Sequence, residues 1–227
     1  MPMSDVYNIP WIIKIVSRTS PESILDVGIG NGTYGFLFRQ YFDIAAGRLK
    51  KSEWVMKIDG IEVFEEYRNP IWEYYYDTVR ICDVSSIASG LPTYDVILLL
   101  DVIEHFSNVK GTELLETLVE KSRIVIVSTP NKPYPQGSLH GNSHETHLSS
   151  WSSADFENFH YYTYVLNDCN IYAISKQSEI LEGLETNNFP QLKRNSNSTK
   201  KTIKKMIRKL RSKLFSLPKG KTTIKKQ

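Results

Sequence analysis

The chain has 227 residues, 41% of them hydrophobic and 23% charged, with a formal net charge of +3. That is enough for one α/β domain with its own core, and it excludes collagenous, mucin-like and wholly disordered classes. The total hides a division: residues 1–192 hold all 25 acidic residues and 14 of the 28 Lys and Arg, a net −11, whereas residues 193–227 hold the other 14 basic residues and no acid. An acidic domain carrying a basic arm is expected. Cys82 and Cys169 lack C-x-x-C spacing, so free thiols in a reducing cytoplasm are expected. Pro10, Lys14 and Arg18 break up Trp11–Val16, and no run reaches the ~18–20 apolar residues of a membrane span, so a soluble domain that is not exported is expected.

From the N-terminus, Asn8–Arg18 places Trp11, Ile12, Ile15 and Val16 on one helical face, predicting a helix over one end of a sheet within an N-terminal cover at residues 1–22. Ser23–Val27 predicts a strand, Gly28 a turn, and the aromatic-rich run through Tyr41 a helix; together they open a βαβ unit. Ala45–Ser52 is polar and predicts a loop. Val55–Val63, Val79–Cys82 and Tyr94–Leu100 follow as strands, the last apolar on both faces like a central parallel strand. A helix at Asn108–Lys121 and a buried strand at Arg123–Ser128 come next. Pro130–Ser153 is too long for a plain connector, and loops of this kind carry function. His160–Leu166 and Ile171–Lys176, parted by Asn167–Asn170, predict an antiparallel hairpin. The whole predicts a doubly wound, mostly parallel seven-stranded α/β sheet closed by an antiparallel C-terminal hairpin. A catalytic domain at 1–176, a linker at 177–199 and a basic tail at 200–227 are expected.

The strongest local signal is Asp26-Val27-Gly28-Ile29-Gly30-Asn31-Gly32-Thr33-Tyr34-Gly35. After a strand, such glycines let the backbone approach a ligand closely, and the next helix offers free N–H groups. Gly30-x-Gly32-x-x-Gly35 also fits the dinucleotide fingerprint, so a nicotinamide enzyme is an alternative. Glu62 ends the second strand, where a carboxylate can accept from both ribose hydroxyls, but it lies 34 residues after Gly28 rather than the ~20 of that fingerprint. Asp83, after the third strand, is either an adenine contact or a strand-end cap.

Asp-Val-Gly-x-Gly-x-Gly, an acid after strand two, and Asp101-Val102-Ile103-Glu104-His105 after strand four, in this order, resemble the class I S-adenosylmethionine-dependent methyltransferases. The likeness is greatest to the branch containing the ubiquinone-biosynthesis O-methyltransferases. It covers about Ser23 to Lys176, with Ile29 standing where the family usually has Cys or Ala. The resemblance implies a Rossmann-like fold and S-adenosyl-L-methionine as cofactor. Asp26, Gly28, Gly30 and Gly32 would line its methionine end, Glu62 its ribose, and Asp83 and Val84 its adenine. Asp101 would lie at the mouth, near the methionine amine or the reacting methyl. Little is then asked of the protein beyond placement and a base for a hydroxyl acceptor. His105 is the first candidate, with a satisfied helix-start histidine as the alternative.

His140–Trp151 is the most unusual segment, with three histidines and a glutamate within eight residues. It resembles an Asn-x-x-Glu-x-His-x-Ser-x-Trp pattern found in methyltransferases of this branch whose substrates are mostly unassigned. His144, Glu145 and His147 are candidates for acceptor binding or acid–base work. A divalent metal and a loop-ordering network are alternatives, and the spacing matches no known structural metal site, so no metal is assigned.

In the arm, Ile203, Met206, Ile207, Leu210, Leu214 and Leu217 follow helical spacing among Lys and Arg. A basic amphipathic helix suits an anionic inner-membrane surface; nucleic acid and a solvated tail are the alternatives. The sequence thus predicts a cytoplasmic methyltransferase, peripheral to the inner membrane where the arm binds it. Its acceptor is expected to be a small molecule, glycan or lipid-linked compound, methylated on oxygen. A non-catalytic cofactor-binding module and a nucleic-acid methyltransferase recruited by the arm are the competing readings.

Overall fold

Seven strands form one sheet in the order β3-β2-β1-β4-β5-β7-β6, as seen in a computed structural model that describes residues 4–166 and 168–185. The strands are β1 (Ser23–Val27), β2 (Lys57–Glu62), β3 (Thr78–Ile81), β4 (Tyr94–Leu100), β5 (Ser122–Pro130), β6 (His160–Val165) and β7 (Cys169–Ser175). The first five run parallel, while β7 is antiparallel to β5 and pairs with β6 as the expected hairpin. Because the chain winds from β1 outward to β3 and then crosses back to β4, the connections that leave the C-terminal ends of β1 and β4 pass to opposite faces of the sheet. Open α/β sheets bind ligands at such a switch point.

Both faces are covered, which is why β4 reads as an unbroken apolar run. One core layer joins β4 Val96 and Leu98 to α1 (Ile9–Thr19), α2 (Thr33–Phe38), α3 (Pro70–Tyr75) and the residues that follow it. The other joins Ile97 and Leu99 to α4 (Val84–Ile87), α5 (Asn108–Glu120), Trp151 and Phe156. α1 ends where Ser20 turns left-handed at φ 44°. Its buried Ile12, Ile15 and Val16 lie within a sheet-face layer rather than over the sheet's end, which revises the expected cover.

Two expectations change. The stretch expected to begin a linker instead begins with α6 (Ser178–Glu185), whose Leu181 and Leu184 are buried in the α1 layer. The Arg18 guanidinium donates to the Leu184 carbonyl at 2.9 Å. A short amphipathic segment beside many polar residues hides this role in the sequence. The loop expected at Ala45–Ser52 is preceded by a π-helical turn at Arg39–Ile44 that carries a buried ion network. Residues 186–227, which include the basic arm, lie outside the described residues. No described helix is long and apolar enough to cross a membrane.

Arg39 and Asp43 are fully buried and paired at 3.0 Å, and Arg39 also reaches Asp77 at 2.8 Å. Its remaining donors meet the Tyr75 and Met56 carbonyls, and Trp54 stacks over the guanidinium at 4.7 Å. Burial opposes ionisation of Asp43, but the Val55 N–H and the Arg48 and Arg39 guanidiniums outweigh it and hold the carboxyl below its usual range. The network ties α2 to the start of β2 and the end of α3. Removing one partner strands a buried charge. Arg39→Ala should therefore cost about 3–5 kcal/mol of stability, read as a lower midpoint in urea unfolding at pH 7.

Candidate functional site

A cavity of about 720 Å³ spans the C-terminal ends of β3, β2, β1 and β4. The turn after β1 forms its floor. Gly28, Gly30 and Gly32 have φ of 75°, 48° and 80°, values that L side chains rarely adopt. A Cβ on Gly28 would stand 2.5 Å from Val102 Cγ2, so the turns after β1 and β4 close against each other only through glycine. Ile29, the departure from the family pattern, is buried over Gly60 of β2, where a Cβ would stand 2.9 Å from Ile29 Cγ2. The larger residue fits because its neighbour has no side chain.

Glu62 locks this turn to β2. Its Oε2 accepts from Gly30 N–H at 2.9 Å, and Oε1 accepts from Val63 and Phe64 N–H at 2.9 and 3.1 Å. Burial raises its pKa against those three donors. A carboxylate has about four lone-pair sites, so capacity remains on the cavity side. Asp26 is buried at the end of β1, and its Oδ2 accepts from the Tyr76 hydroxyl at 2.6 Å; that hydroxyl in turn accepts from Gly35 N–H at 3.1 Å. Burial pushes the Asp26 carboxyl up to about 7, against the Tyr76 hydrogen bond and with the Glu62 charge adding to the rise. Tyr76 was not legible as a site residue, because it meets Asp26 from 50 positions away. Asp83 caps α4 by accepting from Ser85 N–H at 2.8 Å, so the capping alternative holds while the residue also lines the cavity with Val84.

The turn after β4 builds the opposite wall. Asp101 is left-handed at φ 56°, a strained value for a non-glycine, and its Oδ1 accepts from the Ser128 hydroxyl at 2.9 Å. Burial raises its pKa, eased by Ser128 and the Asp5 backbone. His105 Nδ1 lies 3.2 Å from the Thr146 carbonyl. His147 Nδ1 lies 2.7 Å from the Tyr134 carbonyl. A carbonyl only accepts, so in both rings Nδ1 carries a proton. The two rings meet edge to face with centroids 5.0 Å apart. Burial lowers the pKa of His105, so it is neutral at pH 7.

The structure separates the three candidates of the histidine segment. His147 joins His105. Glu145 is held instead in a network that orders the loop: its Oε1 accepts from the Tyr67 hydroxyl at 3.1 Å and from Asn142 Nδ2 at 3.4 Å, while its backbone carbonyl accepts from Gln136. His144 is exposed at the rim, its backbone N–H capped by Asn142 Oδ1. Trp151 is core, packed against Gly111, where a Cβ would stand 2.4 Å from its ring. Among the described residues no cluster of three or more His, Cys, Asp or Glu is arranged to hold a metal. Ser4, Asp5, Val6 and Ile9 also line the cavity, with the Ser4 hydroxyl on the Leu100 carbonyl at 3.3 Å. Sequence reading gave them only a covering role.

A doubly wound sheet with a left-handed glycine turn, an acid closing β2 and an acidic turn after β4 defines a nucleoside-cofactor site of the methyltransferase type. A family of methyltransferase domains matches residues 8–168, and the chain belongs to it; S-adenosylmethionine is its cofactor. The fold is similar to that of an O-methyltransferase family protein from Burkholderia thailandensis, at 11% identity and TM-score 0.54 over 76% of this chain and 57% of that one. The chain thus spans little more than half of that protein's length. It is also similar to the N-terminal domain of EvdMO1 with SAH bound, at 16% identity and TM-score 0.50 over 76% and 82% of the two chains. An rRNA methylase from Escherichia coli matches at 16% identity and TM-score 0.50 over 75% and 64%. No curated protein matches the chain. At these identities the likenesses establish the fold.

The Asp26 carboxyl gives a pH signature. Its folded pKa is raised, so between about 4 and 7 the folded state binds more protons than the unfolded one, and stability falls as pH rises through that window. Asn keeps an acceptor for Tyr76 but does not titrate. In Asp26→Asn the loss of stability from pH 4 to pH 8, followed by urea unfolding, should be shallower than in wild type by one proton's uptake.

Proposed function

We propose that this domain transfers a methyl group to a hydroxyl of a small-molecule, glycan or lipid-linked acceptor, with His105 as the base. The observation that carries the reading is the pair of imidazoles, each with Nδ1–H tied to a backbone carbonyl, on the same cavity as the glycine turn and Glu62. Glu62 would accept from one ribose hydroxyl on its remaining lone pair. Asp83 and Val84 would flank the adenine, and Asp26 with the Gly28–Gly32 turn would take the methionine end, where the carboxylate form of Asp26 pairs with an ammonium. Asp101 would sit at the mouth between cofactor and acceptor. Bound S-adenosylmethionine supplies the electrophilic methyl and a thioether leaving group.

As the acceptor oxygen forms its bond to the methyl carbon, its proton passes to His105 Nε2. The imidazolium formed keeps its Nδ1–H on Thr146, and His147 lies beside it to relay or share the proton. General-base help of this kind is worth roughly 10²- to 10⁴-fold. Glu145 and Asn142 are positioning residues that fix the loop carrying His147. Asp101-Val102-Ile103-Glu104-His105 supports placing the domain beside the ubiquinone-type O-methyltransferases. Membrane recruitment through residues 200–217 is part of the same proposal.

Transfer of labelled methyl from S-adenosylmethionine into lipid, glycan and small-molecule fractions of a cell extract tests the activity. Calorimetry with S-adenosylhomocysteine separates the roles. Glu62→Ala should weaken cofactor binding about 10- to 100-fold, the worth of hydrogen bonds to a charged group. His105→Ala should leave cofactor affinity intact while slowing transfer by about 10²-fold or more. Equal cofactor affinity in Glu62→Ala and wild type would remove the ribose assignment, and cofactor binding without label in any fraction would favour a binding module.

A further inference from the structure

Tyr76, just past the end of α3, fills a space that three glycines leave open. A Cβ on Gly35 would stand 2.3 Å from its Cε2, one on Gly60 3.0 Å from its Cδ1, and one on Gly32 3.4 Å from its Cε2. The side chain is buried against the glycine turn, the start of α2 and β2 at once. Gly35 is the third glycine of the Gly30-x-Gly32-x-x-Gly35 pattern, the position that lets helix and strand pack closely in a dinucleotide site. In this chain the same glycine makes room for a phenol.

The hydrogen bonds fix the direction of the phenol's proton. The hydroxyl accepts from Gly35 N–H at 3.1 Å, and a backbone N–H only donates. Its single proton therefore goes to Asp26 Oδ2, at 2.6 Å. The bond from Gly35 serves the fold, since it satisfies an N–H of the first turn of α2 that has no partner within the helix. The bond to Asp26 acts on the cavity. A donor held in this direction favours the carboxylate over the neutral acid. Burial and the Glu62 charge at the end of β2 both oppose ionisation of Asp26, and the Tyr76 hydroxyl works against them. Tyr34 of α2 feels the Asp26 charge, and Asp101 in the turn after β4 lines the same cavity.

We propose that Tyr76 is a positioning residue for the cofactor: its hydroxyl, oriented by Gly35, holds Asp26 in place and in its carboxylate form to receive the methionine ammonium. The inference rests on the reading of Asp26 as the partner of that ammonium. The ring alone accounts for the packing against Gly32, Gly35 and Gly60, and phenylalanine preserves it. What phenylalanine removes is the donor. Without it the neutral acid persists to higher pH, and the pH at which Asp26 can grip a cation moves up with it.

Binding of S-adenosylhomocysteine to the full chain should be followed by calorimetry from about pH 5.5 to 8.5 in wild type, Tyr76→Phe and Asp26→Asn. Methylthioadenosine, which keeps the nucleoside and the sulfur but lacks the ammonium, is the control ligand. Wild-type affinity for S-adenosylhomocysteine should rise with pH around a midpoint of about 7. In Tyr76→Phe the midpoint should move up by about one pH unit or more, the worth of a hydrogen bond to a charged group. Affinity at pH 7 then drops about fivefold or more, and most of the loss is recovered at the alkaline end. Methylthioadenosine should bind both proteins alike throughout. Replacing Tyr76 by 3-fluorotyrosine, a stronger donor, should move the midpoint down, and this arm decides the matter where Tyr76→Phe does not fold. A loss that is the same for both ligands and at every pH would make Tyr76 structural and overturn the proposal, as would a midpoint unmoved by either replacement. Asp26→Asn should lose the rise with pH; if it keeps the wild-type profile, the reading of Asp26 beneath the proposal falls instead.

Discussion

The three backbone N–H groups that converge on the Glu62 carboxylate are the interaction on which the site depends. A glycine turn has no side chains to define its path, and its left-handed residues are permitted rather than driven into place. Glu62 supplies the missing constraint by holding Gly30 from the neighbouring strand. Gly28 and Ile29 add to it, both donating to the Ile61 carbonyl, at 2.8 and 3.3 Å. One acid at the end of β2 therefore sets the curvature of the turn after β1, and both line the same cavity. Loss of Glu62 would relax the turn by removing the acceptor of three backbone N–H groups.

The second half of the site is assembled by the histidine loop, which has little secondary structure of its own. It is fastened at both ends of its functional stretch. Tyr67, just beyond the end of β2, and Asn142 hold Glu145, while the Glu104 carbonyl holds Leu148 and Ser149. His147 lies between these anchors. Its own N–H to the Gln136 carbonyl and its ring to the Tyr134 carbonyl complete the fixation. The loop is thus anchored both to the segment after the strand that carries Glu62 and to the turn that carries His105.

The strands were legible in the sequence because β1, β4 and β5 are apolar on both faces, a pattern that parallel burial alone produces. Their bounds moved by one or two residues, as at β5, which gains Ser122 at one end and Thr129 and Pro130 at the other. The glycine turn, Glu62 and the acids after β3 and β4 were legible because each follows a strand directly. What stayed hidden depends on contacts between distant residues. Tyr76 reaches Asp26, and Asn8 reaches Cys169 at 3.2 Å, through folding alone. The buried network at the π-helical turn Arg39–Ile44 was equally hidden, because the partners of its guanidinium, Met56, Tyr75 and Asp77, lie far off in the sequence.

The charge around the cavity bears on which acceptors the domain can admit. Among the described residues, eight Asp and Glu line it against a single lysine. Such a field favours a cofactor that carries a sulfonium and an ammonium, and it disfavours a polyanion approaching the same mouth. The acids are also buried enough that burial raises the pKa of Asp26, Glu62, Asp101 and Glu104. A cation binding beside Asp26 would favour ionisation of its carboxyl, with release of a proton. If Asp26 takes the methionine ammonium as proposed, cofactor affinity rises with pH below about 7, where its carboxyl ionises. Among the described residues the group that enters the cavity passes a wall of carboxyls, and an uncharged hydroxyl does so at the least electrostatic cost.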